Sequence, residues 1–466
     1  MTRRMYMRHF VTLAGLAVAS VSLLVSAAQK NGAVHEYQLD NGLKLIVKED
    51  HRAPIMVSQV WYKVGSSYEH DGITGLSHVL EHMMFKGTEK YPSGEFSRII
   101  SENGGRENAF TSSDYTAYFQ TMEKSRLPVS FELEADRMRN LLIPDEEFLK
   151  EVKVVMEERR MRTDDNPQAL TYEQFKATAF VSSPSRIPVI GWMDDLENME
   201  VADLRDWYQK WYAPNNATVV VVGDVDPDEV HALAKKHFGP LKADKISPPK
   251  PRKEIKQLGQ KRIVVKAPAE LPFLTMGYKV PILLDAETAW EPYALDVLAG
   301  VLDGGNSARL SSQLVRGSEI AASAGAGYDM YDRLGGFFIM QGTPSAEHSV
   351  KELEEALLAQ IKQMQEKPVS QAELDRVKAQ IRSAKVYELD SVFYQAMQIG
   401  MLETVGIEWQ ELDRYSGEID KVTPDQVIQV AKKYLVADKL TVAELDPQPI
   451  DPNKPPSRDS GAGHGH

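Results

Sequence analysis

The sequence predicts an α+β fold: two duplicated domains, each a mainly antiparallel sheet packed by helices, joined by a linker. Three observations carry this. Apolar runs of period two follow one another without helical crossovers, as antiparallel sheets permit and doubly wound parallel sheets do not. The stretch VADLRDWYQKWYAPNNATVVVVGDVDP at 201–227 is echoed by VTPDQVIQVAKKYLVADKLTVAELDP at 422–447. Each reads as an amphipathic helix, a Tyr at its end, a polar turn, an apolar β-rich run and Asp-Pro. A weaker echo in the same order links Trp61-Tyr62-Lys63-Val64 with Gly277-Tyr278-Lys279-Val280. Finally, 241–260 holds Pro248, Pro249 and Pro251 among several lysines, the composition of a solvated, fairly stiff linker.

The elements follow in chain order. Residues 1–28 read as a secretory signal peptide: Arg3, Arg4 and Arg8, an apolar run at 10–25, and Ser26-Ala27-Ala28 before Gln29. The run is short for a membrane span, which needs about 20 apolar residues. The chain is therefore expected in the periplasm or secreted, with no stable membrane insertion after cleavage. The first domain, 29–240, has strand candidates at 43–49, 55–64, 115–122 and 217–222, with 108–122 extended throughout. Its helix candidates are 75–85, 94–103, 125–142, 145–162 and 201–212. The linker, 241–260, leads to a second domain at 261–447, and the Pro-, Asp- and Gly-rich tail at 448–466 reads as disordered.

Composition narrows the function. With 466 residues, 42% apolar and 26% charged, the chain is an ordinary globular protein. It has no Cys, so neither a thiolate metal site nor a disulfide framework is available. Removing residues 1–28, which hold three Arg and no acid, leaves 51 basic and 67 acidic residues, a net of −16. That argues against nucleic acid or an anionic lipid surface as a partner.

The chemistry is concentrated in His78-Val79-Leu80-Glu81-His82, an H-x-x-E-H string. On a helix, positions i, i+3 and i+4 share a face, so both imidazoles can reach one metal ion with Glu81 beside them. Two His and one further oxygen make a three-ligand zinc site with one position open, as hydrolysis of an amide bond requires. Such a ligand set also accepts manganese or cobalt. The acid-rich stretch at 144–162 offers Glu146, Glu147, Glu151, Glu157 and Glu158. Glu151 and Glu158, seven apart, share a helical face with Leu149, Val152, Val155 and Met156 close by. A carboxylate in such surroundings is costly unless paired or bound to metal.

Further strings join the motif: Met84-Phe85-Lys86-Gly87-Thr88, Asn103-Gly104-Gly105, Asn108-Ala109-Phe110-Thr111, Asp165-Asn166-Pro167, Pro188-Val189-Ile190-Gly191, Trp211-Tyr212-Ala213-Pro214-Asn215-Asn216 and Gly223-Asp224-Val225. Together they make the chain resemble the pitrilysin or insulinase family of inverted-motif zinc peptidases. It is most similar to the branch of bacterial processing-peptidase homologues and the mitochondrial processing peptidase. The resemblance implies that His78, His82 and Glu158 bind one zinc ion per chain and that Glu81 is the general base. It makes Glu151 a second catalytic acid that supports the site, which we expect to orient a His or the attacking water. It implies a clam-like pair of domains. It also implies an edge strand in which Asn108, Ala109 and Phe110 bind a peptide by strand addition; for Phe110, packing in the sheet is an equal reading.

The second half has no H-x-x-E-H. In the family a Gly-rich turn there is followed by an Arg and, six residues later, a Tyr that reach the substrate from the opposite half. This chain has Arg316, a candidate substrate contact, but Ala322 at the Tyr position. Losing one such donor typically costs roughly 10²–10³ in rate. Tyr328 or Tyr331 could substitute, the enzyme could be slow, or a homologous partner subunit in a heterodimer or homodimer could supply the pair. Ser183-Pro184-Ser185, where the family often has His-Pro-Tyr, is a second departure and agrees with the third reading. The expected function is zinc-dependent endopeptidase, completed by a partner. The alternative is a non-catalytic scaffold or peptide-binding subunit.

Overall fold

The computed structural model describes residues 32–250 and 252–451. The expected signal peptide lies outside these residues, as does the tail from residue 452 onward. The first sheet has the order β1-β2-β6-β3-β5-β4, with β1 Val34–Gln38, β2 Lys44–Glu49, β3 Ile55–Tyr62, β4 Arg106–Thr111, β5 Thr116–Glu123 and β6 Ala217–Gly223. Its β2–β6 pair is parallel and its other pairs are antiparallel. The second sheet has the order β7-β11-β8-β10-β9, with β7 Lys261–Pro268, β8 Phe273–Val280, β9 Ala321–Tyr328, β10 Gly336–Pro344 and β11 Leu440–Gln448. Only its β7–β11 pair is parallel. Each sheet is thus mixed but mainly antiparallel, as the uninterrupted succession of apolar runs predicts.

The echoes in the sequence correspond element by element. Helix Val201–Trp211, a 3₁₀ turn at Pro214–Asn216 and β6 match helix Pro424–Tyr434, a 3₁₀ turn at Ala437–Lys439 and β11. Trp61 on β3 faces Thr218 on β6, and Gly277 on β8 faces Thr441 on β11. The second helix starts on a capping box in which Thr423 accepts from the Gln426 backbone N–H. One expectation changes. The 108–122 stretch is not a single extended run but the β4–β5 hairpin, because Ser112-Ser113-Asp114 reverses the chain between them. That places β4 at the sheet edge. Helix Pro167–Ala179 and strand β1 lie outside the expected elements. Phe175 and Tyr172 give the former no clean polar face, and β1 is short.

Each sheet covers one face with helices of its own half. Tyr62, Val79, Leu80, Phe131 and Trp211 belong to the first core; Leu298, Phe338, Leu357 and Val430 belong to the second. The opposite faces are covered by exchange. Helix Val392–Val405, from the second half, packs Ala396 and Ile399 against Val57, Trp61 and Val220 of the first sheet. Helix Pro167–Ala179, from the first half, packs Phe175 and Ala179 against Phe337 and Ala443 of the second. Burial on both faces is why β6 reads ATVVVVG with no polar alternation. Charged ties add to the exchange: Lys44 to Glu403 at 2.6 Å and Arg333 to Asp114 at 2.8 Å.

The exchanged helices seat by inverted knobs and holes. At Gly400 a Cβ would overlap the indole of Trp61; at Gly277 it would overlap the ring of Phe175. Trp61 and Gly277 are equivalent in the repeat, so the large partner sits on the sheet in one half and on the helix in the other. Both rings are fully buried and have no room to move aside. Gly400→Ala and Gly277→Ala are each expected to destabilise the protein by about 1–3 kcal/mol through overpacking. In a free helix, Gly→Ala gains about 1 kcal/mol. A urea midpoint that rises in Gly400→Ala would therefore show that the seat is not tight.

Candidate metal centre

The helix Leu76–Met83 brings His78 and His82 to one face, one turn apart, with ring centroids 4.9 Å from each other. The helix Asp145–Arg159 crosses it and presents Glu158. Glu158 Oε2 lies 3.7 Å from His78 Nε2 and 3.5 Å from His82 Nε2. Among the described residues these three form a group whose candidate donor atoms all lie within 4.8 Å of one another. Zinc bonds of about 2.0–2.2 Å at tetrahedral angles put neighbouring donors roughly 3.4 Å apart. The donor set and its spacing therefore fit such an ion. Glu157, next in sequence, points outward to Arg160 and is exposed.

Surrounding side chains fix the orientation. His82 Nδ1 donates to Glu151 Oε2 at 3.2 Å, leaving Nε2 towards Glu158. Lys86 holds the other Glu151 oxygen at 2.6 Å. Glu151 thus lies on the far nitrogen of His82, an arrangement that sets ring orientation and basicity in metal sites. Arg162 pairs with Glu158 Oε1. The Thr111 hydroxyl donates to Glu81 Oε2 at 2.5 Å, while Glu81 Oε1 accepts no hydrogen bond among the described residues. Leu149, an apolar position in the sequence, is exposed, so the inward face of this helix is narrower than its apolar pattern suggests.

The electrostatics follow from burial and pairing. Burial alone would raise the carboxyls of Glu158 and Glu151, but contacts with His82, helped by Arg162 and Lys86 respectively, hold both down to about 2. Burial works against a charged His82, yet hydrogen bonds that it donates to Glu151 and Glu158 lift it to about 9. Two ionised carboxylates therefore flank His82 at the place a cation would occupy. Glu81 moves the other way: burial raises its carboxyl above the usual range, and the Thr111 hydroxyl offsets only part of that. A raised carboxyl beside a cation site is suited to taking up and returning a proton.

The cavity in front of these groups has a volume of about 500 Å³. Asn108, Ala109, Phe110 and Thr111 of β4 form one wall, the turn at Ile187–Ile190 another, and Ala169, Tyr172 and Lys176 a third. Since β4 is an edge strand, it offers main-chain groups to the cavity. The Ala109 N–H is met by Asn108 Oδ1 at 2.8 Å, so it points away from β5. Phe110 both lines the cavity and packs edge-on against Trp61 at 5.3 Å. A second cavity, between the halves, shares Tyr172 and Lys176 with the first and reaches β9. Arg316 is not brought here. It donates to the Asn306 carbonyl and lines none of these walls. Ala322 lies on β9, Tyr328 donates to the Pro281 carbonyl at 2.6 Å, and Tyr331 packs near Tyr415. The sequence carried no signal for Thr111 as the partner of Glu81, nor for Lys86 on Glu151, because both contacts depend on how distant elements cross.

Comparison with known proteins agrees with this architecture. Residues 44–191 match the insulinase family (peptidase family M16), and residues 198–381 match the peptidase M16 inactive domain. The chain is 34% identical to the zinc protease PqqE of Helicobacter pylori, over 95% of this chain and 100% of that protein. It is 28% identical to an uncharacterized zinc protease of Streptomyces coelicolor, over 90% of this chain and 91% of that protein. A crystal structure of a protease from Helicobacter pylori matches 89% of this chain and all of that one, with a TM-score of 0.84 and 32% identity. The periplasmic protease PqqL from Escherichia coli shares the fold at a TM-score of 0.76 and 19% identity, over 91% of this chain and 49% of its own. With both halves matched in order and a relative of this identity aligned along its full length, the chain belongs to the insulinase (M16) family of peptidases.

Proposed function

We propose that the chain is a zinc-dependent endopeptidase that hydrolyses peptides or unfolded segments. The observation that carries this is the convergence of His78 Nε2, His82 Nε2 and Glu158 Oε2 beside the half-buried Glu81, on a cavity walled by an edge strand. A zinc ion held there supplies Lewis-acid polarisation of the scissile carbonyl and acidifies water. Glu81 takes the proton from the attacking water and returns it to the leaving amine, with Thr111 holding Oε2 so that Oε1 is available. Glu151 holds Nδ1 of His82, which would turn Nε2 towards the ion.

The peptide adds to β4 as a further strand, its carbonyl replacing Asn108 Oδ1 on the Ala109 N–H. Asn108, Ala109 and Phe110 are the substrate contacts of this half. The pair expected from the second half is not at the cavity, since Arg316 is engaged with Asn306 and Ala322 carries no donor. A homologous partner subunit supplies it, as a heterodimer or a homodimer. That this chain spans only 49% of PqqL supports the idea that a second unit of similar size can accompany such a fold. We take 29–240 and 261–447 as the two duplicated domains, with 241–260 as linker. A signal peptide at 1–28 directs the chain to the periplasm or outside. Among the described residues no helix is long and apolar enough to cross a membrane. Ala322 favours a second reading, a non-catalytic peptide-binding subunit, and the first test below separates the two.

Glu81→Gln should retain one zinc per chain and lose roughly 10²–10⁴ in kcat on an unfolded protein substrate with any partner present. Unchanged turnover would remove Glu81 as the base. Zinc chelation should abolish hydrolysis and zinc addition restore it, whereas Glu158→Gln should lose the metal itself, read by elemental analysis. Ala109→Pro removes one outward N–H at an edge position that tolerates proline. Its thermal midpoint should hold while kcat/KM falls roughly 3–10-fold, the worth of one hydrogen bond. An unchanged kcat/KM would argue against strand addition there.

A further inference from the structure

The turn at Pro188–Gly191 and the buried Arg159 have no part in the chemistry above, yet they meet behind the metal ligands. Arg159 follows Glu158 directly and is itself buried. Its Nη1 donates to the Gly191 carbonyl at 2.8 Å and to Glu173 Oε2 at 2.9 Å; its Nη2 donates to Glu173 Oε1 at 2.9 Å. Gly191 in turn packs main chain to main chain on the residues that open the His78 helix. With φ of +83°, it lies so close that a Cβ would sit 2.5 Å from the Thr74 carbonyl oxygen and 2.7 Å from Gly75 Cα. Gly75, with φ of +93°, is the N-cap of helix Leu76–Met83 and has no side chain with which to cap it.

The cap comes from further away. Glu69, fully buried, accepts from the N–H groups of Gly75 and Ser77 at 2.7 Å each. Thr74 is tied to the same turn, donating to Asp195 Oδ2 at 2.5 Å and accepting from the Trp192 N–H at 2.9 Å. A continuous strut therefore runs from Glu158 through Arg159 and Gly191 to Gly75 and His78. Its end points are the two helices whose separation sets the donor spacing.

We propose that Arg159 is a positioning residue for the metal: its guanidinium fixes the gap between the helix bearing His78 and His82 and the helix bearing Glu158. This rests on the zinc reading above. The planar fork matters because one guanidinium must serve two oxygens of Glu173 and a carbonyl at once; a lysine ammonium is a point charge without that geometry. Glu173 lies on helix Pro167–Ala179, which covers the second sheet and lines the cavity through Ala169, Tyr172 and Lys176. The strut thus ties donor spacing to the docking of the two halves.

The test uses the full chain, with zinc affinity measured by competition with a chromophoric chelator and, separately, thermal unfolding of the metal-free protein. Arg159→Lys should weaken zinc binding roughly 10–100-fold, the usual effect of losing an outer partner of a metal site. It should also lower kcat with KM little changed and alter the visible spectrum of the cobalt-substituted protein. Zinc affinity equal to that of the unsubstituted chain would overturn the proposal, even if the metal-free protein melts earlier, since a merely structural residue would do only that. Should Arg159→Lys not fold, Glu173→Gln decides by the same rule: weaker zinc binding supports the strut and unchanged binding overturns it. Failure of the unsubstituted chain to bind zinc would instead sink the zinc reading itself.

Discussion

The site depends on keeping carboxylates ionised where water is scarce. Glu158 is 3% exposed and Glu151 7%, on a helix pressed against His78 and His82. An unpaired carboxylate at such depth costs several kcal/mol. The chain meets this by surrounding each acid with cations: His82 on both, Arg162 on Glu158, Lys86 on Glu151. The same arrangement makes the site receptive to a divalent ion, because Glu158 presents its charge to the imidazoles of His78 and His82. Glu81, by contrast, accepts from the Thr111 hydroxyl, and burial raises its carboxyl above the usual range. Glu81 and Glu158, on two helices in contact, are thus pushed in opposite directions by their neighbours.

The second constraint is that neither half is complete. Each sheet leaves one face bare to its own half and buries it under a helix from the other. Large-into-small contacts at Trp61–Gly400 and Phe175–Gly277 allow the close approach. The helix that covers the second sheet is also the one whose Tyr172 and Lys176 line both cavities and whose Glu173 holds Arg159. The covering of the fold and the walls of the cleft are therefore the same element.

Much of this was legible before any coordinates. The i, i+3, i+4 spacing of His78, Glu81 and His82 requires only that the segment be helical, and its apolar Val79, Leu80 and Met83 make it so. The seven-residue spacing of Glu151 and Glu158 put both on one face for the same reason. The repeat was visible because helix, turn and strand each leave a local pattern, and β6 and β11 keep it in register. The hairpin at β4–β5 was not, since Ser112-Ser113-Asp114 is too short a break to interrupt an extended pattern. Helix Pro167–Ala179 has no apolar stripe to betray it, because Thr171 and Glu173 are buried while Tyr172 is exposed.

Local spacing decided which residues could share a metal ion, since helical periodicity acts over one or two turns and is written in adjacent positions. Long-range packing decided the rest: how closely Glu158 approaches the imidazoles, that Thr111 holds Glu81, that Arg316 stays with Asn306, and that each half borrows a helix. These outcomes depend on how elements far apart in the chain cross one another. That crossing is set by the volumes of residues such as Trp61 and Gly400, which carry no local pattern and acquire meaning only when they touch.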